Sequence, residues 1–152
     1  MLEISIETVP ARRIAAVRRS VRIEEVASAW KPALDLVWEF LRKNPGLRTD
    51  GRNFFLYHHP ANRRSPMDVD FGVEVTREFA ASGEVFAAAS PAGKVAGALH
   101  LGPYDRLGET HGAIHAWAAV RRLTFAGKSW EIYGDWNNDP AKLETRVEYL
   151  LS

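Results

Sequence analysis

A chain of 152 residues is long enough to bury roughly 70% of the surface its unfolded form would expose, so a core needs no staples. The absence of cysteine excludes disulfides, thiolate metal ligands and a cysteine nucleophile, and it suits a reducing cytoplasm, the location expected here. With 20 Lys and Arg against 19 Asp and Glu, and with the pairs Arg12-Arg13, Arg18-Arg19, Arg63-Arg64 and Arg121-Arg122 scattered along the chain, the sequence offers no phosphate-tracking stripe and no direct nucleic-acid partner.

The opening segment, Met1 to Pro10, alternates with acids where a signal peptide would carry an apolar run, and no window approaches the roughly 18 to 20 apolar residues of a membrane span. Val9-Pro10-Ala11-Arg12-Arg13-Ile14-Ala15-Ala16-Val17 then reads as the start of a structural unit. Ile23, Val26, Ala27, Trp30, Leu34, Val37 and Leu41 follow at three- and four-residue steps, which predicts a helix ending at Asn44-Pro45-Gly46. Pro32 inside that pattern predicts a kink or break near Ser28 to Lys31. Two strands come next, around Phe54-Phe55-Leu56-Tyr57 and Phe71-Gly72-Val73-Glu74-Val75.

The same order then returns. Ser90-Pro91-Ala92-Gly93-Lys94-Val95-Ala96-Gly97-Ala98 echoes the start at Val9. A helix carrying Leu107, Ile114, Trp117, Ala118 and Arg121 follows, with Asp105 as its expected N-cap and Gly127 as its stop. Trp130-Glu131-Ile132-Tyr133 echoes Phe54 to Tyr57, and Arg146-Val147-Glu148-Tyr149 echoes the strand at Phe71. Each half reads strand, helix, strand, strand. The expected fold is therefore α+β: duplicated modules forming an antiparallel sheet, two main helices on one face and a cleft on a pseudo-twofold axis. One domain over residues 1–152 is expected, with repeats at about 1–80 and 81–152.

Alternation separates Phe54, Leu56, Trp130 and Ile132 from Phe55, Tyr57, Glu131 and Tyr133. With the first set packed on the helices, the second shares an open face near the axis. Glu131 stands where the other half has Phe55, and a carboxylate in such an aromatic wall has its pKa raised by desolvation unless a cation or donors compensate. It would attract a ligand cation, helped by the faces of nearby Tyr and Trp. Tyr104, beyond the Gly102-Pro103 turn, is expected at the sheet rim, whereas Trp38 and Trp117 lie on or beside apolar stripes and are expected in the core.

His111 and His115 have the spacing of one helix face, but two imidazoles need a third ligand and no catalytic Glu lies between them. Gly93-Lys94 lacks the upstream glycine of a phosphate loop, and neither G-x-G-x-x-G nor G-x-S-x-G occurs. No metal and no cofactor are expected.

These residues resemble the GyrI-like small-molecule-binding domains, also found as effector-binding domains of AraC-type and BmrR-type regulators. The resemblance rests on Pro10 with its basic and apolar-Ala sequel, Phe71 to Val75, Pro91-Ala92-Gly93, His100-Leu101-Gly102-Pro103-Tyr104, Gly127-Lys128-Ser129-Trp130-Glu131-Ile132-Tyr133 and Leu143-Glu144-Thr145-Arg146-Val147-Glu148. It implies binding of bulky aromatic or cationic compounds, of the multidrug or xenobiotic kind, by Phe55, Tyr57, Tyr104, Glu131, Tyr133 and Trp136. The family's groove Glu falls on Glu131, and Thr145-Arg146 departs from its usual Thr-Glu pair. Because the first repeat begins within ten residues of Met1, a stand-alone binder is expected and not a transcription factor. The resemblance also implies two alternatives: a hydrolase of cyclopropane-containing electrophiles with Glu131, Tyr104 and Tyr133 as catalytic groups, and a gyrase-inhibitor-like interaction module, for which no surface patch can be read.

Overall fold

The computed structural model describes residues 2–62 and 64–152; Met1 and Arg63, the first member of the Arg63-Arg64 pair, lie outside them. The strands are β1 (Ile4–Val9), β2 (Arg12–Val21), β3 (Asn53–His58), β4 (Met67–Glu74), β5 (Phe86–Ser90), β6 (Gly93–Leu101), β7 (Phe125–Tyr133) and β8 (Glu144–Leu151). Two helices interrupt them, α1 (Val26–Lys43) and α2 (Leu107–Val120), each entered through a short 3-10 turn, at Ile23–Glu25 and Tyr104–Arg106. All neighbouring strands are antiparallel, in the order β1-β6-β8-β7-β3-β4-β2-β5. Among the described residues, no helix is long and apolar enough to cross a membrane.

The strand order reads the same from both ends once β1 is matched with β5, β6 with β2, β8 with β4 and β7 with β3. That is the duplication expected from the echoes, with one addition. Each half carries a further leading strand, and the halves exchange them: β1 pairs with β6 of the second half, and β5 pairs with β2 of the first.

The helices bury narrower stripes than their sequences suggest. On α1 the buried residues are Ala33, Leu34, Val37 and Leu41, at the three- and four-residue steps of one helix face. Ile23 and Trp30, farther up the expected stripe, are exposed. Arg42 and Lys43 close the helix, where cations suit the negative end of its dipole. The helix runs through Pro32 without the expected break. On α2, Leu107, Thr110, Ile114 and Ala118 are buried. Asp105 is not its N-cap, since Pro103 precedes the 3-10 turn and Arg106 the helix itself. Nor does Gly127 end it: the chain turns at Arg121-Arg122, with Arg122 at φ 57°, while Gly127 (φ 89°) lies inside β7 where its register with β8 shifts.

The assignment of sheet faces is the reverse of the sequence reading. Phe55, Tyr57, Val69, Phe71 and Val73 pack with Ala33, Leu34, Val37 and Leu41 of α1, and Ala96, Ala98, Val147 and Tyr149 pack with Leu107 and Ile114 of α2. The set expected under the helices forms a separate helix-free core of Phe54, Leu56 and Trp130 with Ile14, Ala16 and Val95, and Ile132 at its margin. Ile14 on β2 and Val95 on β6 have four strands between them in the sheet, so the free face curls over its own side chains. An eight-stranded twisted sheet does this readily. Strands buried on both sides are apolar on both sides, and alternation alone cannot then say which set meets the helices.

Candidate functional site

The central strand pair, β3 with β7, places Phe55 directly opposite Glu131. Under the halves' equivalence each is the other's counterpart, so this pair maps onto itself and lies on the pseudo-twofold axis. Both point to the helix-bearing face, between α1 and α2. One position supplies a phenyl ring and its mate a carboxylate.

Glu131 is only 4% exposed, yet its carboxylate is fully engaged. Oε1 accepts from the hydroxyls of Tyr57 and Tyr133, the latter at 2.6 Å, and Oε2 lies 2.7 Å from His111 Nε2. Burial pushes such a carboxyl up, but the bond from His111 and its coulombic attraction, then the bonds from Tyr133 and Tyr57, outweigh it and hold Glu131 below the usual carboxylate range. The compensation by donors has won over the desolvation that the sequence reading put first. Reciprocally, burial and then the Glu131 charge push the Tyr57 and Tyr133 phenols well up, so both keep their protons. The result is a buried anion with three committed donors.

Aromatic rings wall this anion. Tyr133 meets Phe55 edge-on at 4.8 Å between centroids and Tyr104 at 5.5 Å, and Phe55 meets Phe71 at 4.9 Å and Trp30 at 6.4 Å. Tyr104, 37% exposed, begins the 3-10 turn before α2. Its place is fixed by Gly102, whose φ of 135° favours glycine, and by buried His100, which contacts Thr110 Oγ1 at 2.7 Å and the Pro103 carbonyl at 3.0 Å. Trp136 stands apart, exposed in the segment after β7 with its indole N–H bonded to Asn138. Trp38 and Trp117 are half-buried at the margins of the two helix-bearing cores.

A chain of contacts that sequence reasoning missed continues from Glu131 through His111 to Tyr149. His111 Nδ1 lies 2.6 Å from the Tyr149 hydroxyl. His59 stacks on Tyr149 at 5.9 Å and reaches Ser129 Oγ at 2.7 Å, and His115 packs edge-on against Tyr149 at 4.9 Å and Phe125 at 5.0 Å. Burial, then the neighbouring His115, His111 and His58, lower the His59 pKa. A hollow of about 540 Å³ opens there, lined by His59, His115, Tyr149, Phe125, Met67 and Ile23 among others. Another of about 690 Å³, beside Pro10 to Ile14 and Ala87 to Ala89, shares no residue with this site. His111, weighed only as half of a metal pair, has both ring nitrogens directed at Glu131 and Tyr149, and the described residues hold no cluster of three or more His, Asp or Glu side chains suited to a metal. Its signal was available: it lies on the α2 stripe with Leu107, Ile114 and Ala118, a polar residue on an apolar face.

A duplicated antiparallel sheet carrying two helices is the architecture of a class of small-molecule-binding domain. The chain belongs to the GyrI-like small molecule binding domain family, which matches residues 2–151. Among solved structures, the EcmrR C-terminal domain superposes with a TM-score of 0.82 at 22% identity, covering 100% of this chain and 98% of that one. In the EcmrR-DNA complex the chain spans 57% of the longer protein. SAV2435 bound to tetraphenylphosphonium gives 0.73 at 10% identity, over 99% and 94% of the two chains. A hydrolase from Listeria innocua gives 0.59 at 13% identity, over 99% and 92%. At these identities the likeness is one of fold. A search of curated proteins found no match.

Proposed function

We propose that this domain binds bulky aromatic cations between α1 and α2, with Glu131 as the counter-charge and Phe55, Tyr57, Tyr104 and Tyr133 as the aromatic surround. The observation that carries the reading is the Glu131 carboxylate, buried beside four aromatic rings with no Lys or Arg bonded to it among the described residues. Buried anions are ordinarily paired, and here two of the three donors are phenols, which bring no compensating charge. Tyr104 and Trp30, the partly exposed rings at the edge of the aromatic wall, would move aside to admit it. Each ring face adds roughly 0.5 to 2 kcal/mol of cation-π attraction. The phosphonium-bound SAV2435, of the same fold, is a ligand-bound precedent for such a guest. Trp136 has no place in this reading.

Glu131→Gln keeps shape and removes charge. It is expected to weaken tetraphenylphosphonium binding at least about tenfold, or about 1.4 kcal/mol, and to leave neutral triphenylphosphine oxide nearly unaffected in the same calorimetric titration. Equal losses for both compounds would contradict a role for charge.

A second reading is hydrolysis of cyclopropane-bearing electrophiles. The contact of an ionised Glu131 with the protonated Tyr133 supports it. Glu131 would take a proton from water as the hydroxide adds to a ring carbon, the strained bond would break toward a conjugated carbonyl, and Tyr133 or Tyr104 would protonate that oxygen. Mass spectrometry of such a compound over many equivalents decides this: a product heavier by one water supports turnover, and unchanged compound dismisses it.

A further inference from the structure

Glu131 does not face its guest alone. His111 Nε2 lies 2.7 Å from one carboxylate oxygen, and Nδ1 lies 2.6 Å from the Tyr149 hydroxyl. We propose that His111 sets the charge of this site, and that an aromatic cation binds by displacing one proton from the His111–Glu131 pair. This rests on the reading of Glu131 as the counter-charge given above.

The geometry satisfies both protonation states of the imidazole. With a proton on Nε2 alone, His111 donates to Glu131 and accepts from Tyr149, and the pair carries one negative charge. With a proton on each nitrogen, Nδ1–H donates to the Tyr149 oxygen, whose own hydrogen rotates away, since a hydroxyl both donates and accepts. The pair is then neutral. Neither state leaves a ring nitrogen unsatisfied, so the switch needs no backbone movement. A guest cation meets an uncompensated anion in the first state and a cancelled pair in the second, and the difference is large where water is scarce.

Other titratable groups face His111 from each element packed around it. From β7 come Glu131, held ionised, and Tyr133; from β3 comes Tyr57; both phenols are pushed far up and stay neutral. From β8 comes Tyr149, whose phenol burial and Glu131 also push up. His59, following β3, has its pKa lowered and so resists charging. His115 lies one turn along α2 and packs on the far side of Tyr149, where Arg22, Glu24 and Arg64 line the adjoining hollow. Imidazole is the side chain whose ordinary titration falls in the physiological range.

The test is calorimetric titration of the full chain with tetraphenylphosphonium, a permanent cation with no proton of its own, from about pH 5.5 to 8.5 in pairs of buffers differing in ionisation heat. Affinity is expected to fall toward acid with a limiting slope of about tenfold per pH unit, with about one proton released per cation at the acid end and none at the alkaline end. His111→Gln, which keeps a donor and cannot take a proton, is expected to flatten the profile and abolish the release; His115→Gln is expected to retain both. Should the glutamine variant fail to fold, proton release by the unaltered protein still decides. Binding with pH-independent affinity and no proton release would overturn the inference and leave the binding reading standing. No binding at any pH would overturn both.

Discussion

A carboxylate that burial would neutralise stays ionised at position 131 because three donors converge on it, and each donor comes from a different element: Tyr57 from β3, Tyr133 from β7 itself, His111 from α2. Removing one should show in the charge. Tyr133→Phe is expected to raise the Glu131 pKa, read from the carboxyl carbon shift through an acid titration; an unmoved midpoint would mean that the phenols do not hold the charge. The same logic governs Asp70, wholly buried on the opposite face with Arg18 at 2.7 and 3.1 Å and His58 at 2.7 Å. Burial pushes its carboxyl up, but the bonds from His58 and Arg18 prevail and depress it. A depressed folded-state pKa contributes stability that is present above the ordinary carboxylate pKa and lost as pH falls through the folded value. Acid should therefore weaken the fold below about pH 4. Asp70→Asn is expected to cost about 3 kcal/mol near neutrality and less at pH 3, by denaturant unfolding. At this scale Glu131 was legible because it broke the echo with Phe55. Tyr149 was not, since its partner His111 arrives from α2, and a hydrogen bond between residues so distant in sequence leaves no local pattern.

At the scale of elements, the helices and most strands follow from periodicity, and the misreadings share a cause. Phe54-Phe55-Leu56-Tyr57 is apolar on both alternations because the sheet is covered by helices on one side and by its own curl on the other. The exposed start of the α1 stripe is misleading in the same way: Trp30 turns toward Phe55 of the aromatic wall, and Ile23, in the 3-10 turn ahead of α1, lines the hollow beside His59 and Tyr149. Pro32 was expected to kink or break α1; the helix passes through it unbroken, forgoing the bond to the Ser28 carbonyl, which lies on an exposed residue. Proline in a helix interior costs about 3 kcal/mol relative to alanine, and packing by Ala33, Leu34, Val37 and Leu41 overrides that penalty. Pro32→Ala is accordingly expected to stabilise the protein by about 1–3 kcal/mol, seen as a higher melting temperature. A lower one would mean that the proline bends α1 into a shape the site depends on.

For the whole molecule, duplication was visible in the echoed segments, but the exchange of leading strands was not. β1 is largely exposed, with Glu7 among its outward residues, and its pairing with β6 depends on contacts far along the chain. The exchange ties the halves together. β1 brings Ile4, with Leu2 ahead of it, to the α2 core and Val9 to the helix-free core. Arg146 of β8 bonds both Glu7 of β1 and Glu148 beside it. A deletion of residues 1–9 should then act at a distance: it unpairs β6, leaving a new sheet edge, while β2, which follows directly in sequence, keeps both neighbours, β4 and β5. Hydrogen exchange is expected to quicken in β6, β8 and α2 and to stay slow in β2 and β4. Quickening confined to β2 would refute the exchange. Uniform quickening would show instead that the two halves open as one cooperative unit, and that the carboxylate on their axis is held by the whole sheet and not by its own half alone.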